Sequence, residues 1–119
     1  MIERILTQLP DLPVSHNPRI SKRQLFANGE VPAITQIARA TFPAGEVAPG
    51  HAHADMWEVF LFESGTGELE IDGSVHAVGA GHAFLVAPGE VHEIRNTGNG
   101  PLVVTVVGVR DPSGTPASD

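Results

Sequence analysis

Short apolar runs broken by glycine and proline fill the middle of the chain, with almost no helical periodicity. Ile34 to Phe42 is rich in β-branched and apolar residues, and Trp57 to Phe62 is a bulky apolar run. Glu68-Leu69-Glu70-Ile71 alternates acidic and apolar residues, the period-two pattern of a strand with one buried face. Asp72-Gly73 then predicts a two-residue hairpin turn, after which Val75 to Val78 returns. Ala83 to Val86 and Leu102 to Val109 are two further strands. Many short strands punctuated by turns predict an all-β sandwich or barrel. If the strands are regular, Glu58, Phe60 and Phe62 face inward while Trp57, Val59 and Leu61 face outward. Phe84 and Val86 suit the same interior.

The ends are less regular. Pro10, Pro13 and Pro18 break any long helix near the start, so residues 1–20 are expected to be an irregular segment packed on a barrel spanning 21–110. Residues 111–119, rich in Pro, Ser, Gly and Thr, read as a flexible tail. A chain of 119 residues predicts one domain and buries enough surface to fold without a disulfide or structural metal. It has no cysteine, which excludes disulfide scaffolds, thiolate zinc modules and cysteine nucleophiles. A net charge of −7 with seven scattered basic residues argues against a nucleic-acid surface. No apolar run approaches the ~20 residues of a membrane span. The start carries no basic region followed by an apolar stretch, so a soluble cytoplasmic protein is expected.

Four side chains suggest chemistry: His51, His53, Glu58 and His92. Two residues apart on a strand, His51 and His53 would share a face with Cα atoms about 7 Å apart, close enough to reach one ion. Glu58 lies at odd spacing from them, so it joins the group only if the chain turns, and Ala54-Asp55-Met56 is where a turn fits. His92 would close the site from another strand. Three imidazoles and a carboxylate suit one divalent first-row ion, with two positions left open in an octahedral shell. Zinc is compatible too. On spacing alone, Pro49-Gly50-His51 also reads as part of a polar loop.

The wider pattern resembles the two motifs of the cupin superfamily. Gly45, five residues, His51-Ala52-His53, four residues, Glu58, six residues and Gly65 match the first motif without a gap. Gly81, five residues, Ala87-Pro88-Gly89, two residues, His92, three residues and Asn96 resemble the second. Ala87 stands where the family usually has Pro. Fifteen residues separate the motifs, as in compact single-domain cupins. The resemblance implies a double-stranded β-helix (jelly-roll) barrel. It also implies that His51, His53, Glu58 and His92 hold one metal ion per chain (Mn, Fe, Ni or Zn), with Asn96 serving a turn or a hydrogen bond. The activities it allows range over dioxygenases, decarboxylases, isomerases, epimerases and sugar-binding regulators. With one barrel and no helix-turn-helix segment, two-barrel oxalate enzymes and fused regulators are not expected.

Two function classes follow: a metal-dependent enzyme acting on a small oxygen-bearing molecule, or a non-catalytic binding or sensor module. An acid-base group or an anion clamp in the pocket would favour the first. His76 is the candidate acid-base group, because a two-residue hairpin loop sets it beside Leu69 on the apolar face; otherwise it sits at a sheet edge or subunit contact. Arg39 and Arg95 are candidates to hold a substrate carboxylate. Arg95, at odd spacing from His92, would point away from the metal, and both also read as solvated surface charges. His82 reads as a loop residue, and His16 receives no role. Outward Trp57, Val59 and Leu61, together with open strand edges, predict a homodimer.

Overall fold

The computed structural model describes residues 1–112; residues 113–119, most of the expected tail, lie outside the described residues. Two antiparallel sheets face each other. The larger contains β1 (Leu12–Val14), β2 (Asn17–Phe26), β3 (Ile34–Phe42), β5 (Met56–Ser64), β8 (Ala83–Val86) and β10 (Leu102–Arg110), in the order β1-β2-β3-β10-β5-β8. The smaller contains β4 (Val47–His51), β6 (Thr66–Ile71), β7 (Ser74–Gly79) and β9 (His92–Asn96), in the order β4-β9-β6-β7. This is the jelly-roll barrel expected from the motifs. No helix among the described residues is long and apolar enough to cross a membrane.

Strands begin earlier than the boundary expected at residue 21. β1 and the start of β2 lie within residues 1–20, preceded by a short 3-10 turn at Leu6–Gln8. The prolines that suggested irregularity sit where a sheet tolerates them. Pro13 is on β1, an edge strand. Pro18 falls where the β1–β2 register jumps from Pro13↔Ser21 to Val14↔Asn17, so the ladder is already interrupted there.

The period-two reading of the middle strands holds. On β5, Glu58, Phe60 and Phe62 are buried, while Trp57 and Leu61 are exposed. The core joins Ile20, Phe42, Phe60, Phe62, Leu69, Leu102 and Val104 between the sheets. The hairpin has the two-residue loop, with Ile71 opposite Ser74 and Leu69 opposite His76. Asp72 and Gly73 both take positive φ, 47° and 86°, the backbone of a type I′ turn. Asn96 is buried and acts structurally. Its amide nitrogen donates to the carbonyls of Phe42 and Gly100, each at 2.9 Å, and its Oδ1 accepts from Gly98 N–H at 2.9 Å.

Candidate metal centre

His51 ends β4, Glu58 lies on the inner face of β5, and His92 opens β9. His51 and His92 are partners in the β4–β9 register. His53 lies on no strand; it sits in the loop between β4 and β5. The shared strand face expected for His51 and His53 is therefore replaced by a loop that folds back, with its bend at Ala54 and Asp55. Two backbone bonds pin that loop. Gly89 N–H donates to His53 O at 2.8 Å, and Asp111 N–H donates to Asp55 O at 2.7 Å. Ala87, the departure from the family pattern, gains a bond that proline cannot make: its N–H donates to Glu90 Oε1 at 2.7 Å.

One donor atom from each of the four side chains lies within 4.8 Å of all the others. Donor atoms this close together can converge on one ion with small side-chain adjustments. Backbone carbonyls orient two of the rings. His51 Nδ1 lies 2.9 Å from Pro49 O, and His92 Nδ1 lies 3.2 Å from Glu90 O. A carbonyl only accepts, so each Nδ1 carries the proton and each Nε2 keeps its lone pair for a metal. Glu58 Oε1 is 3.0 Å from His92 Nε2 and 3.4 Å from His53 Nε2. Glu58 Oε1 and His92 Nε2 are both buried; they bond to each other when His92 is protonated, but with His92 neutral and its proton on Nδ1 neither has a hydrogen-bond partner. Buried polar atoms without partners are rare and costly. A cation between them satisfies both, so the residues present fit a metal ion.

The charges around the cluster pull in opposite directions. Burial would raise the Glu58 carboxyl, but neighbouring His92, His53 and His51 outweigh it and hold its pKa below 4.5. Burial would lower His92, but Glu58 and the Glu90 carbonyl outweigh it and hold its pKa above 6.5. Burial dominates at His51 and lowers it, with the other imidazoles adding to the fall. In the metal-free protein, His92 therefore contributes stability that is full below pH 6.5 and lost as pH rises through its folded pKa. Glu58 contributes stability that is present above pH 4.5 and lost as pH falls through its folded pKa. A metal needs His92 neutral, and that proton is held into the range above pH 6.5. As pH is lowered, metal affinity is thus expected to start falling while the pH is still above 6.5 and to drop about tenfold per pH unit below the His92 pKa, for one competing proton. Titrating manganese at several pH values checks this, and constant affinity from about pH 8 to about pH 6 contradicts it.

The cluster opens into a cavity of about 270 Å³ between the sheets, near the small end for ligand pockets. Ile20, Ala38, Phe42, Phe60, Ile94 and Val104 wall it. The polar lining residues Ser15, His16, Lys22 and Gln36 received no role from the sequence. His16, in the β1–β2 turn, stacks on His51 with ring centroids 4.4 Å apart. Period-two parity with buried Ile20 points to Lys22 once β2 is read as a strand. His76 has the expected register but does not line this cavity; β7 is the sheet edge far from β4. Its exposed ring lies 6.1 Å from that of Phe84. Arg95 points outward, bonded to Glu68, Glu70 and Glu93. Arg39 also faces outward and pairs with Glu63 at 2.8 Å. His82 lies in a turn next to β8, with Nδ1 3.3 Å from Ala77 O.

The cupin domain family matches residues 38–108, and the chain belongs to that family. No curated protein matches the sequence. Among solved structures, a Thermotoga maritima protein described as a predicted oxalate decarboxylase superposes with TM-score 0.85 at 23% identity, over 92% of this chain and 99% of that one. The cupin domain of Schizosaccharomyces pombe Cnp3 gives 0.79 at 17%, over 92% and 74%. The polyketide cyclase RemF of Streptomyces resistomycificus gives 0.78 at 20%, over 94% and 83%. At these identities the likeness is one of fold.

Proposed function

We propose that His51, His53, Glu58 and His92 hold one divalent transition-metal ion (manganese, iron, nickel or zinc), and that the protein is an enzyme acting on a small oxygen-bearing substrate. Dioxygenase, decarboxylase and isomerase chemistry all fit this reading. The observation that carries it is the convergence of four donor atoms within 4.8 Å of one another, two of them, Glu58 Oε1 and His92 Nε2, buried. A bound ion there supplies a Lewis acid or a redox centre facing the cavity. The chain's own part is to fix the donors through Pro49 and Glu90 and to keep water scarce with Phe60, Ile94 and Val104. A second reading, a non-catalytic binding or sensor module, is favoured by one feature. Among the described residues, the lining holds no carboxylate besides Glu58 and no hydroxyl besides Ser15. Protein loaded with iron or manganese, incubated with small organic acids and diketones, distinguishes the two. Oxygen uptake, carbon dioxide release or an isomerised product supports the enzyme, and tight binding without product supports the module.

We also propose that the chain pairs with a second copy through the outer face of the larger sheet. Ile37, Val107, Val59 and Leu85 form one register row across four strands, with Trp57 opposite Val109 beside it. Leu85 is 63% exposed and Leu61 41%, an apolar stripe of the kind that usually marks a contact. Light scattering is expected to give twice the 12.5 kDa chain mass. Val59→Lys is expected to give the monomer with its metal site intact. A wild-type mass of one chain at micromolar concentration contradicts the dimer.

A further inference from the structure

We propose that Lys22 and Gln36 form an anion-receiving end of the cavity opposite the metal ligands, so that the protein's ligand is a short acid with two oxyanion groups. This rests on the metal reading above. Lys22 lies on the inner face of β2 beside Ile20, which is 1% exposed, in a wall that is otherwise largely aliphatic and aromatic. Lys22 is only partly buried there, so its ammonium sits at the cavity rather than in the packed core. Its Nζ donates to Gln36 Oε1 at 3.1 Å, and it forms no ion pair with a carboxylate among the described residues. The other cations on β2 and β3 all have acidic partners: Arg19 with Glu46, Arg23 with Asp11, and Arg39 with Glu63. Lys22 is the exception, and it is the one that faces the cavity.

The donor count points the same way. An ammonium carries three N–H donors, of which Gln36 takes one. Because lysine only donates, the Gln36 oxygen is turned toward it, which leaves the amide N–H groups without a protein acceptor among the described residues. Two residues thus present several unused donors, as an anion site requires.

The register sets the span. Gln36 pairs with Gly108, and Gly108 pairs with Glu58, so Gln36 and Glu58 share one row of the sheet, two strands apart. That is about 10 Å between backbones, and both side chains line the same cavity of about 270 Å³. A ligand of a few heavy atoms can place one carboxylate at the metal and another at Lys22. Charge agrees with this. Among the described residues, the lining holds one carboxylate, Glu58, and one ammonium, Lys22. A divalent cation on Glu58 leaves an excess of two positive charges, which a dianion neutralises.

Calorimetry on manganese-loaded protein tests the assignment, with malonate and succinate as diacids and acetate as the single-carboxylate reference. Wild type is expected to bind one of the diacids at least tenfold more tightly than acetate. Lys22→Met is expected to keep its manganese and melt no lower than wild type, since it removes an unpaired charge from a mostly apolar wall. It is expected to lose about tenfold or more in diacid affinity, the value of one charge-assisted contact, with acetate affinity nearly unchanged. Lys22→Arg, which keeps the charge, is expected to recover part of the loss. Equal diacid affinity in wild type and Lys22→Met overturns the proposal, as does a wild type with no preference for either diacid over acetate. Wild type that retains no manganese is a different failure: it overturns the metal reading itself, and the two-ended ligand with it.

Discussion

Glu58→Gln is expected to empty the metal site while leaving the barrel folded. The substitution keeps the side chain's shape inside the wall made by Phe60, Val86 and His92, but it removes the only carboxylate among the four candidate ligands. Losing an outer-shell partner of a metal typically costs 10–100-fold in affinity, and loss of a direct anionic ligand is expected to cost more. Manganese content should fall from about one equivalent to a small fraction after dialysis at micromolar free metal. The far-ultraviolet circular dichroism should stay that of wild type, because the core residues from Ile20 to Val104 do not depend on the ion. His92→Ala is expected to lose metal as completely and to lower stability as well, since the buried ring packs on Phe60 at 5.7 Å between centroids. Full manganese occupancy in Glu58→Gln contradicts the ligand set.

Gly65→Ala is expected to be the most damaging single-methyl change in the fold, and Gly45→Ala is its control. Both glycines have positive φ, +91° and +81°, where an L side chain is strained. That strain alone costs about 1–2 kcal/mol. Around Gly45 the space is open, so Gly45→Ala should cost no more than the strain. At Gly65 a Cβ would strike the carbonyl oxygen of Pro101 and come within 2.8 Å of Leu102 Cα. Both are backbone atoms at the entry to β10, the strand that joins β3 to β5, and Leu102 is fully buried. Overpacking adds about 1–3 kcal/mol, so Gly65→Ala should cost about 2–5 kcal/mol in total. Urea unfolding of the two variants measures the difference. Equal midpoints would mean that β10 can move aside.

The turns and the inward faces were the legible part of the sequence, because each rests on local chemistry. Asp72-Gly73 needs positive φ at both positions, and few other pairs accept it. The burial of Glu58, Phe60 and Phe62 follows from strand parity alone. The four candidate ligands were also legible, but the geometric reason for two of them was not. His51 and His53 converge through a loop tied to Gly89, a contact between segments 36 residues apart that no spacing encodes. β1 and β2 were hidden because Pro13 sits on an edge strand and Pro18 at a break in the β1–β2 register, features set by strand pairing. With β2 unread, the parity that places Lys22 with Ile20 was unread too, and His16 had no site to belong to. His76 shows the converse. Its register followed from the turn, but whether a face meets the cavity depends on sheet order, and β7 lies at the edge away from β4.

We propose that His51, His53, Glu58 and His92 surround one ion. Anomalous diffraction from crystals of manganese-loaded protein, collected on both sides of the metal's absorption edge, tests it most directly. A single strong peak per chain is expected within bonding distance of all three imidazoles and Glu58 Oε1, with bonds near 2.1–2.2 Å. A peak elsewhere, or none among these four residues in fully loaded protein, contradicts the account.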